Sequence, residues 1–330
     1  MKTLVFVFIL SFALCGQAFD CQLNLKDPYK VAYTITVDQN SMGNFKTIQS
    51  AIDSIPPFNK MWIRISILTG RYLEQVTIPE NKPCIFLEGA GSPSTTIEWD
   101  AHAGTDTSAT FTSYPENIVA KGITFKNSYN LRGKNPVITA VAARIYGDKS
   151  ALYHCAFVGL QDTLWDAQGR HYYHKCYIEG GVDFIWGAGQ SIFENCAINL
   201  NIGTYAQDRP AGVIAAQGRN SSSDPSGFVF NSCTFGGVGK ANIGRAYGYY
   251  SRVIIHKSNL TDFVLPGGWD AWDKETKRLT FVEADNVGPG ANTDGRVKWI
   301  KKLSYGRLKY FLDISFIDNE GWLAKLPRVF

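Results

Sequence analysis

Ala151-Leu-Tyr-His-Cys-Ala-Phe157, His171-Tyr-Tyr-His-Lys-Cys-Tyr-Ile178 and Ser191-Ile-Phe-Glu-Asn-Cys-Ala-Ile198 repeat one pattern: an apolar strand, a polar residue, a cysteine and a second apolar stretch. Gly122-Ile-Thr-Phe-Lys-Asn-Ser128 and Gly227-Phe-Val-Phe-Asn-Ser-Cys-Thr-Phe235 extend the series, and Arg252-Val-Ile-Ile-His-Lys-Ser-Asn-Leu260 is a weaker sixth copy. Repeats of about 20 to 25 residues, rich in β-branched and aromatic side chains, build a solenoid whose stacked coils bury a common core. The chain is therefore expected to be mostly short strands. Longer gaps, such as the 37 residues between Cys196 and Cys233, are expected to be loops inserted between coils.

One segment departs from the pattern. Phe45, Ile48, Ile52 and Ile55 recur at helical spacing, the run stops at Pro56-Pro57, and Trp62 to Leu68 returns to strand alternation. A helix there is expected to cap the open end of the solenoid, where bare strand edges could otherwise pair with another chain.

The N-terminus reads as a secretory signal over residues 1–18: Lys2, an apolar run from Leu4 to Leu14, then the small residues Gly16 and Ala18. Residues 19–330 are expected to form a single exported, monomeric domain. No later stretch reaches the roughly 20 apolar residues of a spanning helix, so no membrane is involved. The formal net charge is +4. Lys and Arg are scattered without a basic run, which suits an anionic substrate and argues against nucleic acid. Of seven cysteines, Cys15 leaves with the signal, and Cys21, Cys84, Cys155, Cys176, Cys196 and Cys233 remain. An even count in an exported protein permits disulfides, while the 21- and 20-residue intervals from Cys155 to Cys196 equally fit a ladder of buried thiols. Asn220-Ser-Ser222 and Asn259-Leu-Thr261 are N-glycosylation acceptors.

Several chemistries are excluded. The chain has no Gly-x-Ser-x-Gly elbow, no P-loop and no His-Glu-x-x-His helix. His171 and His174 would face opposite sides of a strand, so they do not share a metal, and neither metal nor cofactor is expected. Asp162 and Asp183 lie 21 residues apart, one coil above the other. Stacked strands are about 4.8 Å apart, so the two carboxyl groups could not easily both stay ionised, and such a pair can divide into an acid and a base or nucleophile. A retaining glycosidase also uses carboxyl groups about 5 to 5.5 Å apart. The pair alone leaves glycosidase and esterase open.

Gly70-Arg-Tyr-Leu-Glu74, Gly159-Leu-Gln-Asp-Thr-Leu164, Asp183-Phe-Ile-Trp-Gly187, Ala216-Gln-Gly-Arg219, Ile243-Gly-Arg245 and Gly288-Pro-Gly-Ala291 resemble, in order and spacing, the signature blocks of plant pectin methylesterases. The resemblance runs from about Val37 to Trp322. It implies a right-handed parallel β-helix with long loops forming a substrate cleft, and hydrolysis of the methyl esters of homogalacturonan in the cell wall. Asp183 would then be the nucleophile and Asp162 the acid and base. Gln161 would donate to the oxyanion, and Arg245 would hold Asp183 and keep it ionised. Trp186, Trp269 and Thr105 match substrate-contacting positions. A proteinaceous inhibitor is an implied partner.

Two departures stand out. Thr139-Ala-Val-Ala142 replaces a block that commonly begins with Gln, a second oxyanion donor, and Ile243-Gly-Arg-Ala-Tyr247 carries Tyr247 where many members have Trp. Tyr247 keeps an aromatic face for sugar contact, whereas Thr139 shortens a donor and raises the alternative of a pectin-binding β-helix with weakened catalysis. By the same resemblance the chain is expected to be a form without the N-terminal inhibitor-like region of many plant members. If Gln161 and Asp162 both serve the site, the backbone must turn between them, because adjacent strand residues face opposite sides.

Overall fold

A computed structural model describes residues 20–133 and 136–329. The proposed signal segment lies outside the described residues. Three parallel sheets, one of ten strands and two of eight, run the length of the molecule. Each coil contributes one strand to each sheet in turn. Ser150–Tyr153 pairs with Arg170–His174, then Gln190–Glu194, then Gly227–Asn231, always in parallel. The architecture is a parallel β-helix, as the repeats imply.

The polar residue before each cysteine is what bends the coil. His154, Lys175, Asn195 and Ser232 have positive φ, as do Lys257 and Asp285 at the same place on the next two coils, before Ser258 and Asn286, all between 46° and 56°. A left-handed residue turns the chain sharply between two sheets at a cost of roughly 1–2 kcal/mol for a non-glycine residue. The backbone ladder continues through these corners: Lys175 N donates to Glu194 O at 2.9 Å and Asn195 N to Asn231 O at 3.0 Å.

The residue after the corner points inward. Cys155, Cys176, Cys196 and Cys233 are buried and unbridged. Cys176 Sγ donates to Leu152 O, Cys196 Sγ to Tyr173 O and Cys233 Sγ to Phe193 O, each 3.3–3.4 Å away on the preceding coil. These four form the thiol ladder, whereas Cys21 and Cys84 form a disulfide. Aromatic rings stack beside the ladder, with Tyr173 and Phe193 centred 4.5 Å apart and Phe193 and Phe230 4.6 Å apart.

Helix Ile48–Ser54 buries Ile48, Ala51 and Ile52. It packs on the first strands of two sheets, Thr34–Val37 and Val76–Ile78. Glu74 accepts from the N–H groups of Ile48 at 2.8 Å and Gln49 at 3.0 Å, satisfying donors that a helix N-terminus leaves open. The Gly70 to Glu74 block therefore fastens the capping helix. A second apolar cluster lies outside the ten-stranded sheet, where Phe86, Val119, Ile192, Val229 and Ile254 meet Phe311, Phe316, Ile317 and Trp322 of the C-terminal segment.

Candidate active site

Asp162 and Asp183 sit at equivalent places on consecutive coils. Gln161 bridges Val182, Leu164 pairs with Ile185, and Asp162 N donates to Val182 O at 3.0 Å. Three residues step from Val182 to Ile185 while only two step from Val213 to Ala215 on the next coil, which marks a bulge at Asp183. Both acids have positive φ, 60° at Asp162 and 46° at Asp183. The turn required between Gln161 and Asp162 is thus present, and both side chains line one cleft. At Asp183 the inward partner is Phe184, which is fully buried. A methyl group at Gly180 would lie 2.2 Å from Phe184 Cβ, so the bulge closes only over a glycine.

The cleft, of about 310 Å³, is lined by Thr105, Asp106, Gln161, Asp162, Asp183 and Trp186, with Trp165, Ala216 and Tyr247 completing it. On the outward face of this sheet, Trp165, Trp186, Ala216 and Arg245 stand in register on four successive coils. Ala216 is small, so Arg245 reaches across it to the Asp183 carboxylate and bonds Oδ2. Asp183 Oδ1 has no hydrogen-bond partner. The Arg245 guanidinium also lies 3.8 Å above the Trp272 ring. Trp165 and Trp186 stack with centroids 4.3 Å apart, and Tyr247 meets Trp186 edge-on at 6.0 Å. Beneath Trp165, the buried carboxylate of Asp166 is bonded by His171, Tyr173 and Ser191.

Burial raises the Asp162 carboxyl to about 7; a hydrogen bond from Thr139 opposes the rise, and the nearby charge of Asp183 adds to it. Burial raises Asp183 as well, with Arg245 pulling against it by charge and by hydrogen bond. Arg245 thus limits the rise at Asp183 without bringing it below its ordinary value, as a cation beside an exposed carboxylate would. Thr139 Oγ1 donates to Asp162 Oδ2 at 2.8 Å, and Gln161 Nε2 lies 3.5 Å from the same hydroxyl.

Trp269 does not reach the cleft. It pairs with Gly244 while its neighbour Asp270 pairs with Arg245, so alternation turns the indole inward. There it is 3 % exposed, stacks on Phe281 and donates to Glu283 at 2.9 Å. Trp272, three residues on and at φ 42°, faces Arg245 instead. Sequence reasoning also passed over Trp165, although it precedes Trp186 by the same 21 residues that separate the two acids.

The pectinesterase family profile matches residues 34–320. Putative pectinesterase 10 of Arabidopsis thaliana is 50% identical over 91% of this chain and 90% of its own length. The solved pectin methylesterase from carrot superposes with a TM-score of 0.81 at 30% identity, covering 88% of this chain and 94% of that one. A pectin methylesterase solved in complex with a hexasaccharide shares the fold, with a TM-score of 0.75 at 22% identity over 87% of this chain and 97% of that one. A profile spanning the β-helix, a relative identical at half its positions and a carrot enzyme of the same shape converge: the chain belongs to the pectinesterase family and acts as a pectin methylesterase on pectin.

Proposed function

We propose that Asp183 is the nucleophile and Asp162 the proton carrier in hydrolysis of the methyl esters of homogalacturonan. The observation that carries this assignment is the unequal surroundings of the two acids. Asp183 has one oxygen held by Arg245 and the other unengaged, whereas Asp162 has no direct cation and a carboxyl raised to about 7. Pairs whose environments separate their proton affinities divide acid from nucleophile.

Asp183 Oδ1 attacks the ester carbonyl, and the tetrahedral oxyanion collapses with loss of the methoxy group, which takes the proton of Asp162 and leaves as methanol. Asp162, now ionised, removes a proton from water. The resulting hydroxide attacks the acyl carbon, Asp183 departs as a carboxylate, and the sugar acid is released. Gln161 supplies an N–H to the oxyanion, a kind of contact commonly worth about 10² to 10³ in rate. Its long contact to Thr139 leaves it free to turn to that task. The Thr139 hydroxyl is committed to Asp162, so Thr139 acts on the proton carrier and not on the oxyanion. Trp186, Tyr247 and Thr105 offer aromatic and polar surface to the sugar rings, and Trp272 replaces Trp269 in that set. The Cys21–Cys84 disulfide supports export to the oxidising cell wall.

Methanol release from highly methylated pectin tests the assignment. The native protein is expected to release methanol, and Asp183→Ala to release none while still binding pectin. A native protein that binds pectin yet gives no methanol across a broad pH range is a binding protein, and the assignment fails.

A further inference from the structure

Beyond the cleft lies a second cavity, of about 540 Å³, where the coil carrying Arg245 meets the C-terminal segment. Lys277, Arg278, Lys301, Lys302 and Arg307 line it, with no acidic residue among the lining. Arg219 and Arg252 line it from within, 5 % and 8 % exposed. Arg219 donates to the carbonyls of Ser222, Asp224 and Tyr250, and Arg252 to those of Pro225 and Ser226. Neither is ion-paired among the described residues, and Arg252 Nε is buried without a hydrogen-bond partner. Burial, then the neighbouring Arg219 and Arg307, pull Arg252 down to about 10, with Tyr310 and Asp224 opposing in part. Among the other cations of the lining, Arg278 alone has a carboxylate among the described residues, Glu275 at 2.7 Å on the exposed surface.

The C-terminal helix Tyr305–Leu312 adds to this field. Lys301 and Lys302 precede it, Arg307 lies in its first turn, and no acidic residue is there. Cations at the positive end of a helix dipole are unfavourable, so an anion bound there would relieve a repulsion that the fold otherwise carries.

A track of rings and cations joins this cavity to the cleft. From Arg245 over Trp272, Lys274 Nζ lies 6.0 Å from the Trp272 ring and 4.9 Å from the ring of Tyr249. The next residue, Tyr250, lines the basic cavity with Arg278 5.5 Å above its ring. Rings offer stacking faces for sugars and cations offer partners for their carboxylates. Each ester hydrolysed in the cleft leaves a negative charge on the polymer.

We propose that the basic cavity is a second polyuronate site, which holds a de-esterified stretch of the polymer whose methyl esters are being removed in the cleft. This rests on the esterase reading above. It makes the de-esterified stretch an anchor for the polymer.

The test compares the native full chain with K277Q/K302Q/R307Q, all exposed positions away from the cleft. Binding to polygalacturonate is measured by affinity electrophoresis, and methanol release on a short methyl-esterified oligogalacturonate confined to the cleft. The variant is expected to bind polygalacturonate about tenfold more weakly, since each exposed cation contributes modestly, and with a flatter salt dependence, while turnover of the short ester stays within about twofold. Unchanged affinity for polygalacturonate with turnover intact overturns the second site alone. No methanol from either protein sinks the esterase reading. Displacement of polygalacturonate by inorganic phosphate at constant ionic strength assigns the cavity to a small anion and also overturns the proposal.

Discussion

In the proposed mechanism Asp162 must hold a proton when methanol leaves, and its carboxyl near 7 allows that on the acid side of neutrality. As pH rises through about 7 the proton is lost and acylation slows. At low pH the limit is protonation of Asp183, whose carboxyl also stands above its ordinary value. A bell-shaped kcat/KM profile is therefore expected. The Thr139 hydroxyl favours the ionised form of Asp162, so Thr139→Val should move the alkaline limb upward by roughly one pH unit. An unchanged or lowered limb would remove Thr139 from the proton carrier. The same group affects stability. A folded-state carboxyl raised above its unfolded value of 3.8 contributes fully below that pH, and the contribution is lost as pH rises toward about 7. Melting temperature should therefore fall over that window in the native protein and fall less in Asp162→Asn. Parallel curves would show that burial does not raise the Asp162 carboxyl.

At the scale of one coil, the corner residues explain why a polar residue precedes each cysteine. Lys175, exposed and at φ 52°, has no packing role to confuse a test. Lys175→Ile places a β-branched side chain in a left-handed corner and should cost about 2 kcal/mol in urea unfolding, whereas Lys175→Gly should lie within about 1 kcal/mol of the native chain. Equal losses would refute the corner account. The strand, corner and cysteine order was readable from the sequence because it recurs with every coil. The acids were readable for the same reason, one coil apart. Less visible were features that depend on how coils stack. The bond from Thr139 to Asp162 crosses coils, and the inward turn of Trp269 follows from its register with Gly244, which motif matching does not supply.

Across the whole molecule, the ten-stranded sheet buries one face in the solenoid core, and residues such as Phe86, Val119, Ile192, Val229 and Ile254 on the other lie beneath the C-terminal segment. Strands such as Gly227–Asn231 and Arg252–His256 carry unbroken apolar runs at their centres, Phe228 to Phe230 and Val253 to Ile255, the pattern of a strand covered on both sides. That signal was in the sequence, but nothing local said that residues beyond 300 would supply the cover. Trp322, fully buried there, donates its indole N–H to Ile317 O at 2.7 Å. Trp322→Ala should cost about 3–5 kcal/mol, and a loss below about 1 kcal/mol would mean the cover is dispensable. At the other end of the chain, the Cys21–Cys84 bond ties residues 63 apart and brings the segment before the first coil onto that same cluster. Cys21→Ser with Cys84→Ser should lower stability by about 2–4 kcal/mol, as loss of a long loop closure does. The four ladder thiols are buried and donate to backbone carbonyls, with burial raising Cys155 to about 12, so they are poor nucleophiles in the folded chain. A thiol reagent should therefore find none of the four in native protein and all four after unfolding without reductant. Rapid native labelling of any of them would break the ladder.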